Sequence, residues 1–331
     1  MNNILVLLLF IFSNIFATSL YSYELEKPIK IDSTDFYYAG TKRYSLSGDL
    51  PNLETKINTP YLIGISATTV AFMVSQHIYQ ANTIWKDQAE FKIIEDGQYA
   101  LYADKAGHIF AGYFVSYMYS ELFSSTGISW ELSNILGAVA GITYQGYVEV
   151  LDGYGANFGF SPSDMYANLF GSGFFLAQHY VPFLQNFTPK FNYIPADAYG
   201  QKKRRPHFAF IDDYSSHTMW MSVNVHNLLG EDYNKYWPKW LQLSFGYAVR
   251  NLCDPNDPNF DCSDSYAVNG IVHGDRKFII ALDYNLAELI PEVGAPFDWF
   301  IQSLNYVKLP SPAIEFGEQT KFMLVYPFVE F

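Results

Sequence analysis

The chain has 331 residues, a formal net charge of −13 and 18% aromatic residues. A strongly acidic chain repels phosphate backbones, so the charge excludes nucleic-acid binding through a general basic field. The length suffices for one large core or two domains, and the many Tyr and Phe side chains are typical of proteins at a membrane–water boundary.

Residues 1–19 have the layout of a secretory signal peptide. An apolar core from Ile4 to Phe16 precedes Ala17-Thr18-Ser19, which supplies small residues for a signal peptidase. An uncleaved anchor is the alternative, because no Lys or Arg precedes the core. No cysteine for lipid attachment lies near this point. The segment therefore predicts an exported protein, periplasmic or associated with the inner or outer membrane.

Residues 20–56 are polar and punctuated by Gly and Pro, which predicts an extended N-terminal arm with one short strand near Phe36 to Tyr38. Four segments without any Asp, Glu, Lys or Arg follow. They are Ile57–Trp85, Ala106–Ser120, Leu132–Val148 and Met165–Thr188. Each is long enough for a helix.

These helices have two interpretations. They are either membrane-embedded helices that pack on small residues such as Gly137 and Gly141, or core helices of a soluble bundle. The aromatic content favours membrane association.

Beyond the basic run Lys202–Arg205, the pattern changes to a period of two residues. Leu241, Leu243, Phe245, Tyr247 and Val249 alternate with smaller or polar residues, so the large side chains share one face of a strand. The predicted strands are Met219–Val225, Leu241–Arg250, Phe278–Leu286, Ala313–Phe316 and Lys321–Phe328, the last two forming a hairpin. About five strands are too few for a closed outer-membrane barrel, so we expect an antiparallel sheet packed on the helices.

The predicted fold class is α+β, with an N-terminal bundle of about four apolar helices followed by an antiparallel sheet of about five strands. The predicted organisation is a signal peptide at 1–19, an extended arm at 20–56, a helical domain at 57–190, a basic linker at 191–206 and an antiparallel β region at 207–331.

Cys253 and Cys262 enclose a loop rich in Asp, Asn and Pro. An oxidising compartment would pair them, so we expect a disulfide that closes this loop. Calcium binding by the loop aspartates is disfavoured because the spacing does not match an EF-hand.

Three polar motifs interrupt the apolar helices, and they carry the candidate site. They are Asp104-Lys105-x-x-His108, Glu149-x-x-Asp152-Gly153 and Ser161-Pro162-Ser163-Asp164-x-x-x-Asn168-x-x-Gly171. Short connections would bring these helix ends together if successive helices alternate in direction. We therefore predict a ligand-binding cluster of Asp104, Lys105, His108, Glu149, Asp152, Asp164 and Asn168.

Each motif also has a structural explanation. Asp104 would cap a helix with His108 as a hydrogen-bonded core residue, and Gly153 would end a helix in a left-handed turn. Ser161 would be an N-cap, with Asp164 completing a capping box. Asn168 has no such explanation, and carboxylates at a helix C-terminus oppose its dipole unless a cation or proton compensates.

The order of these motifs resembles the YfiM-like domain of unknown function, whose members are described as predicted periplasmic lipoproteins. The resemblance covers residues 100–185, and a longer form of the family extends through Trp220–Asn224, Pro238–Leu241 and Leu309–Pro312. The motifs are also similar, more distantly, to VanZ-like membrane proteins, which are associated with glycopeptide-antibiotic tolerance. The resemblance implies an envelope protein, without an established activity.

Three functions remain open at this stage. The first is an envelope protein whose cluster recognises a lipid-linked or glycan headgroup. The second is a metal-assisted hydrolase of an envelope lipid or phosphoester, with a divalent metal on Asp104, His108, Glu149 and Asp152 and with Lys105 stabilising negative charge. The third is a purely structural envelope or outer-membrane assembly protein. The sequence leaves open whether the protein is an enzyme.

Overall fold

A computed structural model describes residues 28–199, 210, 213–253 and 273–331. The signal peptide, the basic run Lys202–Arg205 and Cys262 lie outside these residues. The signal peptide, the basic linker and the disulfide therefore remain predictions.

The N-terminal arm is anchored to both halves of the fold. Its short hairpin, β1 (Tyr37–Tyr38) and β2 (Thr41–Lys42), falls at the predicted strand. Arg43 forms a buried ion pair of 2.8 Å with Glu121 in the helical region. The backbone N–H of Tyr44 donates to Gln302 near the C-terminus at 2.8 Å.

Four long helices confirm the predicted helical region. They are α1 (Thr59–Asn82), α2 (Ala103–Ser125), α3 (Trp130–Gly153) and α4 (Pro162–Tyr180). The last is shorter than predicted, because the chain leaves the helix after Tyr180 and enters a strand at Phe187. Four short helices, α5 (Val225–Leu228), α6 (Glu231–Asn234), α7 (Leu286–Leu289) and α8 (Phe297–Ser303), bring the described α-helices to eight.

Glycines let α2, α3 and α4 pack closely. A Cβ atom at Gly112 would lie 2.5 Å from the carbonyl oxygen of Asn168, and one at Gly171 would overlap the carbonyl of Ile109. A Cβ at Gly137 would lie 2.6 Å from the carbonyl oxygen of Ser116. Small residues thus bring three backbones together, as predicted for Gly137.

Helix α1 differs from the other three because most of its surface is exposed. Among the described residues, it is the one helix that is long and apolar enough to cross a membrane by length and composition. Its last turns meet α3, where His77 Nδ1 lies 2.5 Å from the hydroxyl of Tyr147.

The C-terminal half forms a seven-stranded antiparallel sheet whose strands follow chain order. The strands are β3 (Phe187–Tyr193), β4 (His217–Val223), β5 (Leu241–Cys253), β6 (His273–Tyr284), β7 (Ala313–Phe316), β8 (Lys321–Val325) and β9 (Val329–Glu330). The predicted hairpin is confirmed, with Ala313 opposite Met323. The count of about five strands was low, because β3 precedes the basic run and β9 is only two residues long.

Helix α2 packs against the sheet edge formed by β3 and β4. The ring of Phe110 stacks on Phe191 with centroids 5.5 Å apart. Of the large residues predicted to face the helices, Val249 and Tyr247 pack at the start of α2. Phe245 and Phe278 do not, because they are 47% and 57% exposed. Their smaller and polar neighbours, such as Ser244, face inward and are buried.

Candidate functional site

The predicted site residues lie where α2 and α4 begin and α3 ends. Alternating helix directions bring these three ends together, as the motif order required. We call the seven predicted residues the polar cluster: Asp104, Lys105, His108, Glu149, Asp152, Asp164 and Asn168. Six of them are in contact around Lys105 and His108, and Asp152 lies to one side.

Lys105 joins three carboxylates. Its ammonium lies 2.5 Å from oxygens of both Asp104 and Asp164, and 2.6 Å from Asp96. Burial opposes the charge of Lys105, but Asp104 and then Asp164 outweigh this effect and raise its pKa. Lys105 is therefore the cation that pairs with acidic side chains of both α2 and α4.

His108 has oxygen atoms next to both ring nitrogens. Nε2 lies 3.5 Å from Asp104 Oδ1, and Nδ1 lies 3.2 Å from Asn168 Oδ1 and 3.5 Å from Glu149 Oε1. Burial alone would lower the pKa of His108, but the hydrogen bond and charge of Asp104 raise it to about 10. At neutral pH the ring is therefore an imidazolium that donates from both nitrogens.

The carboxyl groups of the polar cluster have pKa values that are shifted in opposite directions. For Asp104, burial opposes ionisation, but His108 and then Lys105 hold the pKa well below its usual value. Burial raises the pKa of Glu149 to about 8, and burial together with the charge of Asp104 raises that of Asp164 to about 6. Near neutral pH, Asp104 is a carboxylate while Glu149 is largely protonated.

Asp152 faces a different partner from the rest of the cluster. Its Oδ1 accepts a 2.6 Å hydrogen bond from the indole N–H of Trp85, which follows α1. Burial raises the pKa of Asp152 to about 7, and the bond from Trp85 opposes this rise. Asp152 therefore links α3 to the segment after α1.

Sequence reasoning missed several residues of the site. Asp96 accepts from the hydroxyl of Ser161 at 2.6 Å besides its ion pair with Lys105, and Gln145 donates to Asn168 Oδ1 at 3.0 Å. Gln145 was visible in the sequence as part of a polar stripe on α3 that includes Glu149. Asp96 gave no signal, because it lies in an irregular polar stretch before α2.

Tyr214 connects the cluster to the sheet. This residue precedes β4, and its hydroxyl donates to Asp104 Oδ1. The connection joins positions 110 residues apart, so no local motif could predict it.

The structural explanations of the motifs are true only in part. Ser161 caps α4 by accepting from the backbone N–H of Asp164 at 3.2 Å, as predicted. Asp104 lies in the first turn of α2 and is not its N-cap, which is Tyr102. Neither Gly153 nor Gly155 has a positive φ, so the predicted left-handed glycine turn at the end of α3 is wrong. Gly153 is instead required because a Cβ there would overlap the ring of Phe91.

Three buried polar atoms around His108 form no hydrogen bond within the protein: Glu149 Oε1, Asn168 Nδ2 and Asp164 Oδ1. Asp164 Oδ1 lies 2.5 Å from the ammonium of Lys105, which leaves Glu149 Oε1 and Asn168 Nδ2 without a close partner. Glu149 and Asn168 are only 1% and 0% exposed. Buried polar groups are normally paired, so these two atoms mark a candidate position for a polar group from outside.

A second arrangement is suited to a metal ion. Asp104, His108 and Asp164 each offer a ligand atom, and these atoms lie within 4.8 Å of one another. Asp104 and His108 are two of the four predicted metal ligands. Asp164 is the third residue of this group, in place of the predicted Glu149 and Asp152. One imidazole and two carboxylates fit a divalent cation, provided that His108 gives up a proton and Lys105 moves from the carboxylates.

A family described as predicted periplasmic lipoproteins (DUF2279) matches residues 93–178. This range contains the whole polar cluster. The comparisons found no curated protein and no solved structure that matches the chain, and they give no support to the VanZ-like resemblance. The family description agrees with an exported, envelope-associated protein and confirms that prediction from the sequence: residues 93–178 are similar to this predicted periplasmic lipoprotein family.

Proposed function

We propose that this envelope protein binds the hydroxyl-bearing headgroup of a lipid or glycan at its polar cluster. The observation that carries the proposal is the pair of unpartnered buried atoms, Glu149 Oε1 and Asn168 Nδ2. A hydroxyl group both donates and accepts a hydrogen bond, so one hydroxyl could satisfy both atoms.

The charges of the cluster favour a neutral polar group over a phosphate. Lys105 and His108 are already engaged by Asp96, Asp104 and Asp164 at 2.5 to 3.7 Å. A phosphate would have to compete with these carboxylates for the same two cations, whereas a hydroxyl leaves the ion pairs in place.

A ligand would enter beside the least buried members. The side chains of His108 and Asp96 are 19% and 29% exposed, while those of Asp104 and Glu149 are almost completely buried. The cluster therefore has a buried floor, held by ion pairs, below a partly open rim. Such preorganisation lowers the entropic cost of binding.

The test uses the full-length protein in detergent and two probes. Native mass spectrometry would measure binding of phosphatidylglycerol, which has headgroup hydroxyls, and of N-acetylglucosamine as a free sugar. Phosphatidylcholine, without headgroup hydroxyls, is the reference lipid. Preference for phosphatidylglycerol indicates a lipid headgroup, and preference for the sugar indicates a glycan. Equal binding of all three contradicts the proposal.

A matched pair of variants on α3 locates the binding. Glu149→Met removes one unpartnered atom, and we expect binding to weaken about tenfold, as for loss of a buried hydrogen bond. Glu131→Met makes the same chemical change at an exposed position of this helix and should bind like the wild type. A folded Glu149→Met variant with undiminished binding would refute the assignment and favour a purely structural cluster.

A metal-assisted hydrolase is the second candidate, supported by the convergence of Asp104, His108 and Asp164. These residues would hold the ion, which would polarise a phosphoryl or carbonyl oxygen. Lys105 would stabilise negative charge on the substrate. Calorimetric titration with Zn²⁺ and Mn²⁺ tests this candidate: stoichiometric binding that is lost in Asp164→Asn supports it, and absence of binding rejects it.

A further inference from the structure

The buried face of the sheet is only partly apolar. It packs an apolar cluster that includes Trp220, Ile279 and Met323. It also carries charges: Lys190 Nζ lies 2.9 Å from Asp283 Oδ2, and both residues are 1% exposed. Ser244 donates to Asp283 at 2.6 Å. In a sheet of a water-soluble protein, the apolar face is normally the buried one.

The outward face is apolar across four strands. We call it the outer band; it consists of Leu241, Leu243, Phe245, Tyr247, Phe278, Ile280, Leu282, Tyr284, Ile314, Phe316, Phe322 and Leu324. Cross-strand pairing makes the band continuous, because Phe245 lies opposite Ile280, Ile280 opposite Ile314, and Ile314 opposite Phe322. Phe278, Phe322 and Leu324 are 57%, 56% and 48% exposed. A continuous apolar surface of this kind marks an interaction site.

Amphipathic aromatic residues border the band at both ends. At one end, the rings of Trp240 and Tyr284 stack with centroids 6.3 Å apart. At the other end, Tyr247 packs on Phe278 and its hydroxyl donates to the carbonyl of Leu101. Charged residues follow just outside, with Lys239 next to Trp240 and Arg276 next to the Tyr247 end. Trp and Tyr at the two edges of an apolar band are typical of membrane interfaces.

The band is somewhat shorter than the apolar band of membrane-embedded strands. From Phe278 to Tyr284, β6 advances about 20 Å at roughly 3.4 Å per residue. Membrane-embedded strands present an apolar band of about 25 Å. Helix α1 adds a second exposed apolar surface, with Ile63 and Phe72 each 64% exposed.

We infer that the outer band contacts the acyl chains of a lipid bilayer, with Trp240, Tyr284 and Tyr247 at the level of the headgroups. In this environment the arrangement is favourable, because the exposed apolar side chains meet hydrocarbon while the Lys190–Asp283 pair is shielded from it. The inference concerns a surface separate from the polar cluster and does not depend on what the cluster binds.

The first test maps lipid contacts directly. The full-length protein is reconstituted into phosphatidylcholine vesicles that contain a phospholipid with a diazirine in its acyl chain, irradiated and analysed by peptide mass spectrometry. We expect lipid adducts on β5, β6 and β8. Lipid adducts on α1 with none on β5, β6 and β8 would mean that protein covers the band, and would overturn the inference.

The second test uses two variants of the β7–β8 hairpin. Phe322→Arg puts a charge in the central row of the band, and Gln319→Arg puts the same charge in the exposed turn. In vesicle flotation, Phe322→Arg should lower the bound-to-free ratio on the order of 30-fold, while Gln319→Arg should leave it unchanged. Near-UV circular dichroism in detergent checks folding. Equal flotation of the two folded variants refutes the inference, and if Phe322→Arg does not fold, the adduct map of the wild type decides.

Discussion

Lys105 and Asp164 form a 2.5 Å ion pair that joins the first turns of α2 and α4. The pair is largely buried, with side-chain exposures of 12% and 8%. Because Lys105 also contacts Asp96 and Asp104, its one ammonium contacts three carboxylates: one on α2, one on α4 and one in the segment before α2. The geometry of the candidate site thus depends on this one side chain.

Replacing Lys105 with Met should strongly destabilise the protein. The change keeps the aliphatic chain but removes the cation nearest to Asp104 and Asp164, and removing one partner of a buried ion pair costs about 3–5 kcal/mol. Urea unfolding followed by tryptophan fluorescence would measure the loss. Lys42→Met is the control, because its pair with Glu292 is exposed and should contribute at most about 1 kcal/mol. Similar losses for the two variants would contradict this prediction.

His108 should remain protonated well above neutral pH. Its pKa is raised to about 10 because Asp104 outweighs the effect of burial. Nitrogen NMR of the imidazole ring would follow the titration directly. A midpoint near 6.5 would show that Asp104 does not control this ring.

The contribution of Glu149 and His108 to the stability of the folded protein should fall as the pH rises from about 4.5 to 10. The folded state holds protons on Glu149 up to about pH 8 and on His108 up to about pH 10, whereas the unfolded chain releases them near 4.5 and 6.5. A folded state that binds more protons loses stability with rising pH. Glu149→Gln removes one of these protons from the balance, so unfolding measurements should show a weaker pH dependence between about 4.5 and 8. An unchanged slope would mean that Glu149 is ionised in the fold.

Gly171→Ala should disturb the cluster without any change in its polar residues. The new methyl group would overlap the carbonyl of Ile109 and push α4 away from α2, at a cost of about 1–3 kcal/mol. Gly173→Ala is the matched control, because no atom lies within 4 Å of a Cβ there and alanine favours a helix by up to about 1 kcal/mol. Thermal unfolding of both variants should therefore shift in opposite directions.

The bond between Trp85 and Asp152 should couple α1 to α3. Trp85→Phe removes the indole donor and leaves the buried carboxyl without it, at a cost of about 1–3 kcal/mol. A double-mutant cycle with Asp152→Ala, which removes the acceptor oxygen, isolates the interaction. If the two changes are additive, the bond does not stabilise the fold.

The sequence by itself determined the main elements and most members of the candidate site. Charge-free segments located the four long helices, because apolar runs of that length must be buried or meet lipid. The motif order also grouped Asp104, His108 and Asn168, because residues four apart share a helix face and alternating helices bring their ends together.

Only the tertiary structure decided which distant residues contact the polar cluster and which face of the sheet is buried. Asp96 and Tyr214 join the cluster through contacts between distant parts of the chain, for which no local pattern exists. The alternation in β5 showed that Phe245 and Ser244 lie on opposite faces, but a period of two does not say which face is inside. That choice depends on what covers each face: the inward face packs an apolar cluster around Trp220 and pairs its buried charges with one another, and the apolar outer band is left exposed.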